Sequence, residues 1–261
     1  MRPPAYVLNT NIHARYERTH GVHSFTTTDK TSVTVISKPS WEEYYDSLQA
    51  LPRDTTGYVV SPELITTPAV APIGTLLEQA YKRTQLVREV STRLPDATLL
   101  LGTAYANFSK LYNSALHIEN GTVKKRHNKF HLTLPERGFF QPPPLPERVT
   151  VSKDIGTLIC ADLIADAWSN ERYFNTASRS SVVKRLFVLA CWGVPTSFSE
   201  SDDHASQCND TLTRGVTNIF KKYPEVQEII MADRALPDTG IAPYNAHFTR
   251  DGAGALPAHS V

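Results

Sequence analysis

The stretch Gly156-Thr157-Leu158-Ile159-Cys160-Ala161-Asp162 ends an apolar run on a thiol and follows it, two positions later, with a carboxylate. Thr157 to Cys160 is short and closely bounded, which reads as a buried strand rather than a helix. Runs of the same kind recur at Tyr6 to Leu8, Val33 to Ile36, Tyr58 to Val60, Thr98 to Leu101, Ala115 to Ile118, Leu186 to Cys191 and Ile229 to Met231, each edged by polar, Gly or Pro residues. Between Thr75 and Leu94 the apolar residues Leu76, Leu77, Ala80, Tyr81, Val87 and Leu94 fall at near-helical spacing, leaving Lys82, Arg83, Arg88 and Glu89 for a wet face. Trp41 to Leu51 and Thr211 to Lys222 are further helices, the latter closed by Pro224. Asn120-Gly121 and Asp251-Gly252 supply the positive φ that tight hairpins need. Strands mixed with helices and hairpins predict sheets covered by helices, an α/β or α+β fold.

The bulk numbers set limits on function. With 261 residues, 41% hydrophobic and 20% charged, the chain has the size and composition of one soluble domain with a large core. Its 27 Lys plus Arg against 26 Asp plus Glu leave no electrostatic footprint for nucleic acid. The one basic run, Lys124, Lys125, Arg126, His127 and Lys129, reads as a solvated strand end. Cys160, Cys191 and Cys208 form neither an even framework nor a Cys-x-x-Cys pair, which argues against disulfides and a structural zinc and for a reducing, cytoplasmic setting. No signal-peptide core stands at residues 1 to 20, and no apolar run approaches the roughly 20 residues that span a bilayer. No internal repeat is present, and Pro142 to Pro144 with Pro146 mark a stiff, extended loop.

Three apolar runs hand over to a reactive side chain: Tyr58-Val59-Val60-Ser61-Pro62-Glu63, Lys125 to Leu132 with Lys129 inside it, and Gly156 to Cys160. In layered α/β folds, functional groups gather where strands end, because the sheet fixes them while the loops leave room for a substrate. Each residue also has a plain reading. Cys160 packs well as a small hydrophobe, Glu63 suits the first turn of a helix, and Lys129 suits a surface. Lys125 stands in the same stretch as a second lysine beside Lys129.

Taken together, the three segments resemble the nitrilase, or carbon-nitrogen hydrolase, superfamily. Its members carry a strand ending in Pro-Glu, a Lys shortly before a His-Leu or similar pair, and a Gly-x-x-Ile-Cys strand with an acidic residue two positions after the Cys. Pro62-Glu63, Lys129 with His131-Leu132, and Gly156 to Cys160 with Asp162 stand in that order here. Leu99 to Tyr105 and Tyr112 to Leu132 resemble the family's central hairpin, Arg185 to Gly193 the strand carrying a Trp after the nucleophile, and Asp238 to Gly252 the late Gly-Ile strand. The resemblance runs from about Tyr6 to Gly252. It implies a four-layer αββα sandwich formed by one domain over residues 1–261. Tyr112 to Gly138 is similar to the apolipoprotein N-acyltransferase and conjugal-transfer branch.

What the resemblance implies chemically is a catalytic set of Glu63 as base, Lys129 as oxyanion stabiliser and Cys160 as nucleophile, needing no metal or other cofactor. Glu136, Ala161 and Trp192 would line the substrate site. Glu136 has a second reading, as a loop partner for Arg137. Ala161 stands where the family usually has an aromatic residue. The expected activity is hydrolysis of a small amide or related non-peptide carbon-nitrogen bond. N-acyl transfer by the same residues, or a silent binding and assembly role on the same fold, are the alternatives. The expected partner is a small-molecule substrate, with a homodimer possible and no nucleic acid or membrane segment. A thiol-redox role is disfavoured, since Cys160 has no resolving cysteine nearby in sequence.

Overall fold

A computed structural model describes residues 12–17, 19–67, 72–107, 110–144, 154–164, 183–191, 202–234, 243 and 245–250, leaving aside the side chains of 202–210. In order, its strands are β1 Ile12–Glu17, β2 Gly21–Thr26, β3 Ser32–Ser37, β4 Gly57–Val60, β5 Ala97–Asn107, β6 Lys110–Glu119, β7 Thr122–Asn128, β8 Ile155–Ile159, β9 Arg185–Ala190, β10 Glu228–Asp233 and β11 Asn245–Arg250. Its helices are α1 Trp41–Gln49, α2 Ile73–Thr92, α3 Ala161–Ile164 and α4 Asp202–Lys222. The expected strand at Tyr6 to Leu8 and the Asp251-Gly252 turn lie outside the described residues.

The strands form two sheets, one of six in the order β2-β3-β4-β5-β6-β7 and one of five in the order β1-β11-β10-β9-β8. Side-chain alternation along the six-stranded sheet explains the layers. Val33, Val35, Val60, Leu100 and Ala115 join one buried cluster with Leu158, Phe187, Val188, Ile230 and Phe248 of the other sheet. Their neighbours Ile36, Val59, Leu99, Leu101 and Leu116 turn the opposite way, onto Trp41, Tyr44 and Leu48 of α1 and Val87 and Val90 of α2. On the far side, Leu212, Val216, Ile219 and Phe220 of α4 belong to the cluster of the five-stranded sheet. The order helix, sheet, sheet, helix is the four-layer α/β sandwich. β8, β9 and β10 run parallel side by side and are buried at every position, as strands covered on both faces must be.

Local chemistry sets the element ends. Ser40 caps α1, its Oγ accepting the Glu43 N–H at 3.2 Å and its hydroxyl donating to the Glu43 carboxylate at 3.2 Å. The β6–β7 hairpin turns on Asn120 (φ 43°) and Gly121 (φ 72°), the paired positive angles of a tight two-residue turn. α4 begins at Asp202, earlier than the sequence spacing predicts. The basic run splits rather than forming a solvated strand end: Lys124 and Lys125 lie exposed on β7, an edge strand that such lysines protect from pairing, whereas His127 and Lys129 are buried.

Polar ties join the sheets, among them Ser37 of β3 to Asp233 O of β10 at 2.5 Å. His117 of β6 hydrogen bonds Thr157 of β8 at 2.9 Å. Arg185 of β9 donates to Glu228 of β10 at 3.0 Å and reaches Asp29, in the turn between β2 and β3, at 2.8 Å. The Thr28 N–H of the same turn donates to Glu228.

Candidate active site

The site forms where strands of both sheets end. Beyond β4, Ser61 continues the pairing with β5 through its N–H to Leu100 O at 2.9 Å, and its Oγ accepts the Gly102 N–H at 2.9 Å. Pro62 and Glu63 then cross close over β5. A Cβ on Gly102 would stand 2.2 Å from Pro62 O and 2.8 Å from Glu63 Cα, so only glycine allows that approach. The Glu63 N–H donates to Ala190 O at the end of β9, placing the residue between the two sheets. Leu64 follows with φ 51°, and the next turn is held by Arg234 to Leu64 O at 3.3 Å and Arg83 to Thr66 O at 3.1 Å.

Lys129 leaves β7 with its N–H on Asn113 O at 2.8 Å, and its side chain is 1% exposed. Nζ donates to Glu63 Oε1 at 2.6 Å and lies 2.9 and 2.8 Å from the two Glu136 oxygens. Asn113 of β6 donates through Nδ2 to the same two carboxylates, at 2.6 Å to Glu63 and 2.7 Å to Glu136. Glu136 is fixed in turn by the N–H and hydroxyl of Thr133, both at 2.8 Å. Arg137 donates to Leu132 O at 3.3 Å, and no bond between it and Glu136 joins those to Lys129, Asn113 and Thr133 among the described residues. Lys125 sits exposed on β7, so Lys129 is the lysine of this site.

Cys160 follows β8 and precedes α3 at φ 45°, a left-handed corner that is unusual for a side chain larger than glycine. Such a strand-to-helix corner turns the side chain out of the sheet, and strained backbone of this kind collects at functional positions. The Cys160 N–H bonds Leu189 O at 2.9 Å, and Sγ lies 4.0 Å from Cys191 O. Ala161 opens α3 and is half-buried. Asp162 is wholly buried, and its carboxylate accepts the His131 N–H at 2.7 Å and faces the rings of His131 at 3.4 Å and His127 at 3.9 Å. It fastens the corner of Cys160 to the segment that follows Lys129. Trp192 lies outside the described residues.

Charges in this enclosure are interdependent. Burial raises the Glu63 carboxyl above its ordinary range, with the repulsion of Glu136 adding to it and Lys129 opposing. Burial would lower Lys129, but Glu63, Cys160 and Glu136 outweigh it and hold the ammonium well above the usual value. Burial also resists ionisation of Glu136, but Lys129 and the Thr133 donors outweigh it and keep the carboxylate charged. Burial and then the Glu63 charge push the Cys160 thiol well up, Lys129 pulling the other way. Two carboxylates around one ammonium leave a negative excess, which opposes ionisation of the thiol.

Asn113, Gly102, Arg234 and Asp162 complete this arrangement beyond the residues that the sequence singles out, although Asn113 and Gly102 lie in the segments that resemble the family's central hairpin and Asp162 stands two positions after Cys160. A polar residue in an otherwise buried strand, as Asn113 is in β6, was the available signal. Among the described residues no cluster of His, Cys, Asp and Glu suits a metal ion.

No protein-family model matches the sequence, and no curated protein matches it. Solved structures do. A carbon-nitrogen hydrolase from Helicobacter pylori superposes with a TM-score of 0.59 at 16% identity, covering 92% of this chain and 82% of that one. A CN-hydrolase superfamily protein from Xanthomonas campestris, carrying an arsenic adduct in its active site, gives 0.59 at 15%, over 82% of this chain and 79% of that one. A Glu-to-Gln variant of an amidase from a Nesterenkonia species, with acrylamide added at its active-site cysteine, gives 0.57 at 13%, over 95% and 93%. At these identities the likeness establishes a shared fold, the two-sheet α/β architecture of carbon-nitrogen hydrolases.

Proposed function

We propose that the chain is a thiol-dependent hydrolase of a small amide or related non-peptide carbon-nitrogen bond, with Cys160 as nucleophile, Glu63 as general base and acid, and Lys129 as the stabiliser of developing negative charge. The observation that carries this reading is the buried 2.6 Å pair of Lys129 and Glu63 at the strand ends of one sheet, electrostatically coupled to a thiol on a left-handed corner of the other.

Lys129 and Asn113 both use Glu63 Oε1, and no described residue donates to Oε2. Oε2 is thus the oxygen that takes the thiol proton as sulfur bonds to the carbonyl carbon. Burial and the Glu63 charge oppose a free thiolate, so transfer of the thiol proton to Glu63 accompanies attack. The carbonyl oxygen gains the charge, for which the Lys129 ammonium and the first N–H of α3, that of Ala161, are the donors. Collapse breaks the carbon-nitrogen bond, and Glu63 returns the proton to the departing amine. Water, losing its proton to Glu63, then attacks the thioester. The second collapse expels the Cys160 thiolate, which takes that proton back. Glu136 and Asn113 hold Lys129 and Glu63 in place throughout, and Ala161, small where relatives carry an aromatic ring, and Trp192 are read as substrate-lining residues.

If an amine takes the place of water, the same thioester yields N-acyl transfer, a second reading supported by the resemblance of Tyr112 to Gly138 to the N-acyltransferase branch. The setting proposed is cytoplasmic, with residues 1–261 acting as one domain. The test is intact-protein mass spectrometry with a panel of small primary amides and esters, together with ammonia release. Turnover by the native chain, or an acyl adduct on its Cys160, is expected, and Glu63→Gln is expected to lose both. Neither turnover nor adduct on any variant, from a chain that stays folded, overturns the reading.

A further inference from the structure

A second cleft lies away from Cys160, Lys129 and Glu63. It runs between α2 and the outer face of the β5–β7 strands, encloses about 590 Å³, and is walled by Leu77 and Tyr81 on the helix side and by Tyr105, Leu116, Val123 and Arg126 on the sheet side. That volume falls in the range of small-molecule sites. Its walls are apolar in a way that the fold does not require: Tyr81 is 68% exposed and Val123 38%. Side chains of this kind cost nothing on a surface, but together they line one concavity.

The charges decide what it suits. Glu78 at the rim is already paired with Lys82 at 2.6 Å. Arg88 is committed to Gly121 O at 2.7 Å and Gln85 at 2.8 Å. Arg126 differs. Its guanidinium stacks over the Tyr105 ring at 4.1 Å, it forms no ion pair or hydrogen bond with any described residue, and its Nε is buried without a partner. Nε is closed to solvent and out of a ligand's reach, so the outer nitrogens of this half-buried, cleft-lining guanidinium are the donors that an acceptor in the cleft would take. Stacking on an aromatic face holds such a group in plane and ready for a carboxylate.

From these features we infer that the α2/β5–β7 cleft binds an amphiphilic organic carboxylate, the acid group on Arg126 and the apolar body against Leu77, Tyr81, Leu116 and Val123. A cationic ligand is disfavoured by Arg126 itself, and a neutral apolar one leaves its donor unmatched. This site does not depend on the proposed hydrolase reading. It has one structural link to it. Thr84 and Thr103 of the cleft are 3.4 Å apart, and Thr103 bonds Thr66, in the turn just after Glu63, at 2.6 Å.

The test is isothermal titration of the full chain with octanoate, and with octanol as the uncharged probe of equal chain length. Octanoate is expected to bind more tightly than octanol. Arg126→Leu is expected to weaken octanoate roughly tenfold or more, the loss of a charge-assisted hydrogen bond, and to leave octanol unchanged. Tyr81→Glu, an exposed change that spares the fold, is expected to weaken octanoate more than octanol by placing a negative charge at the mouth. Equal affinity for the two probes, octanoate binding indifferent to both substitutions, or no binding at all overturns the inference. Repeating the titration in Cys160→Ala separates the two sites: binding that vanishes there belongs to the catalytic cleft and also counts against the inference.

Discussion

Lys129 is the residue on which most of the site converges, since its ammonium is the shared donor of Glu63 and Glu136 and it is 1% exposed. Replacing it by Met leaves two carboxylates facing each other without a counter-charge. That change is expected to raise the Glu63 carboxyl further and to move the acid limb of any Cys160-dependent rate to higher pH. The sign follows from the shift already present: Glu63 is raised by burial, so a rate that needs its carboxylate falls as pH drops through a value above the ordinary range. A pH profile of substrate turnover or Cys160 alkylation checks it, and an unmoved acid limb contradicts it. Asp162 works at one remove. Its carboxyl titrates at about 2, because hydrogen bonds and charge from His127 and His131 outweigh the cost of burial. Asp162→Ala is expected to speed hydrogen exchange at the His131 amide and to slow Cys160 chemistry, at a stability cost of about 1–3 kcal/mol from the unpaired donors. Cys160, Glu63 and Lys129 were all named by the sequence, each beside an equally ordinary reading. No single residue could separate a packed thiol from a reactive one, because what distinguishes them is the backbone corner at φ 45° and the charges around it.

At the level of elements, the site depends on how β4 ends over β5. Gly102→Ala places a methyl group into Pro62 O and Glu63 Cα, and β5 or the Glu63 turn must move. Activity is expected to fall by orders of magnitude more than the melting temperature suggests, because small misplacement of a base is costly in rate. Gly102→Ala with near-native turnover contradicts this account of the β4–β5 crossing. Strands buried on both faces, β8 to β10 above all, were legible as unbroken apolar runs. So was the hairpin at Asn120-Gly121, whose residues leave the chain little choice. β1 and β2 were not, since Ile12–Glu17 and Gly21–Thr26 alternate half-buried and exposed positions with polar side chains and find their place only by pairing with β11 and β3. α4 was legible only in its C-terminal half, where Leu212, Val216, Ile219 and Phe220 reach the core.

Taken as a whole, the molecule divides the proposed catalytic groups between two sheets, with Glu63 and Lys129 from one and Cys160 from the other. Strand order cannot be read from a one-dimensional pattern, so the sequence placed the three groups at strand ends without showing that the ends meet. The sandwich holds them together, and its polar ties carry measurable consequences. Removing Glu228 leaves Arg185 buried with the exposed Asp29 as its one acidic partner among the described residues, and Glu228→Ala is expected to destabilise by about 3–5 kcal/mol in chemical denaturation. A loss below about 1 kcal/mol contradicts that role for the tie. His117, bonded across the sheets to Thr157, titrates at about 3, lowered first by burial and then by His127 and Lys125. The unfolded chain therefore binds a proton at this position that the folded chain refuses between about pH 6.5 and 3. Stability falls as pH drops through that window, and His117→Gln is expected to flatten the fall; an unchanged slope contradicts the assignment.

The central claim, that Cys160 is a nucleophile activated by Glu63 and Lys129, is tested most directly by the rate of iodoacetamide alkylation at each cysteine of the folded chain. Cys160 is expected to react faster than Cys191 and Cys208, and Glu63→Gln to abolish that preference while the other two rates stay as they were. Equal labelling of all three cysteines in the native protein, or a Cys160 preference that survives Glu63→Gln, would contradict it.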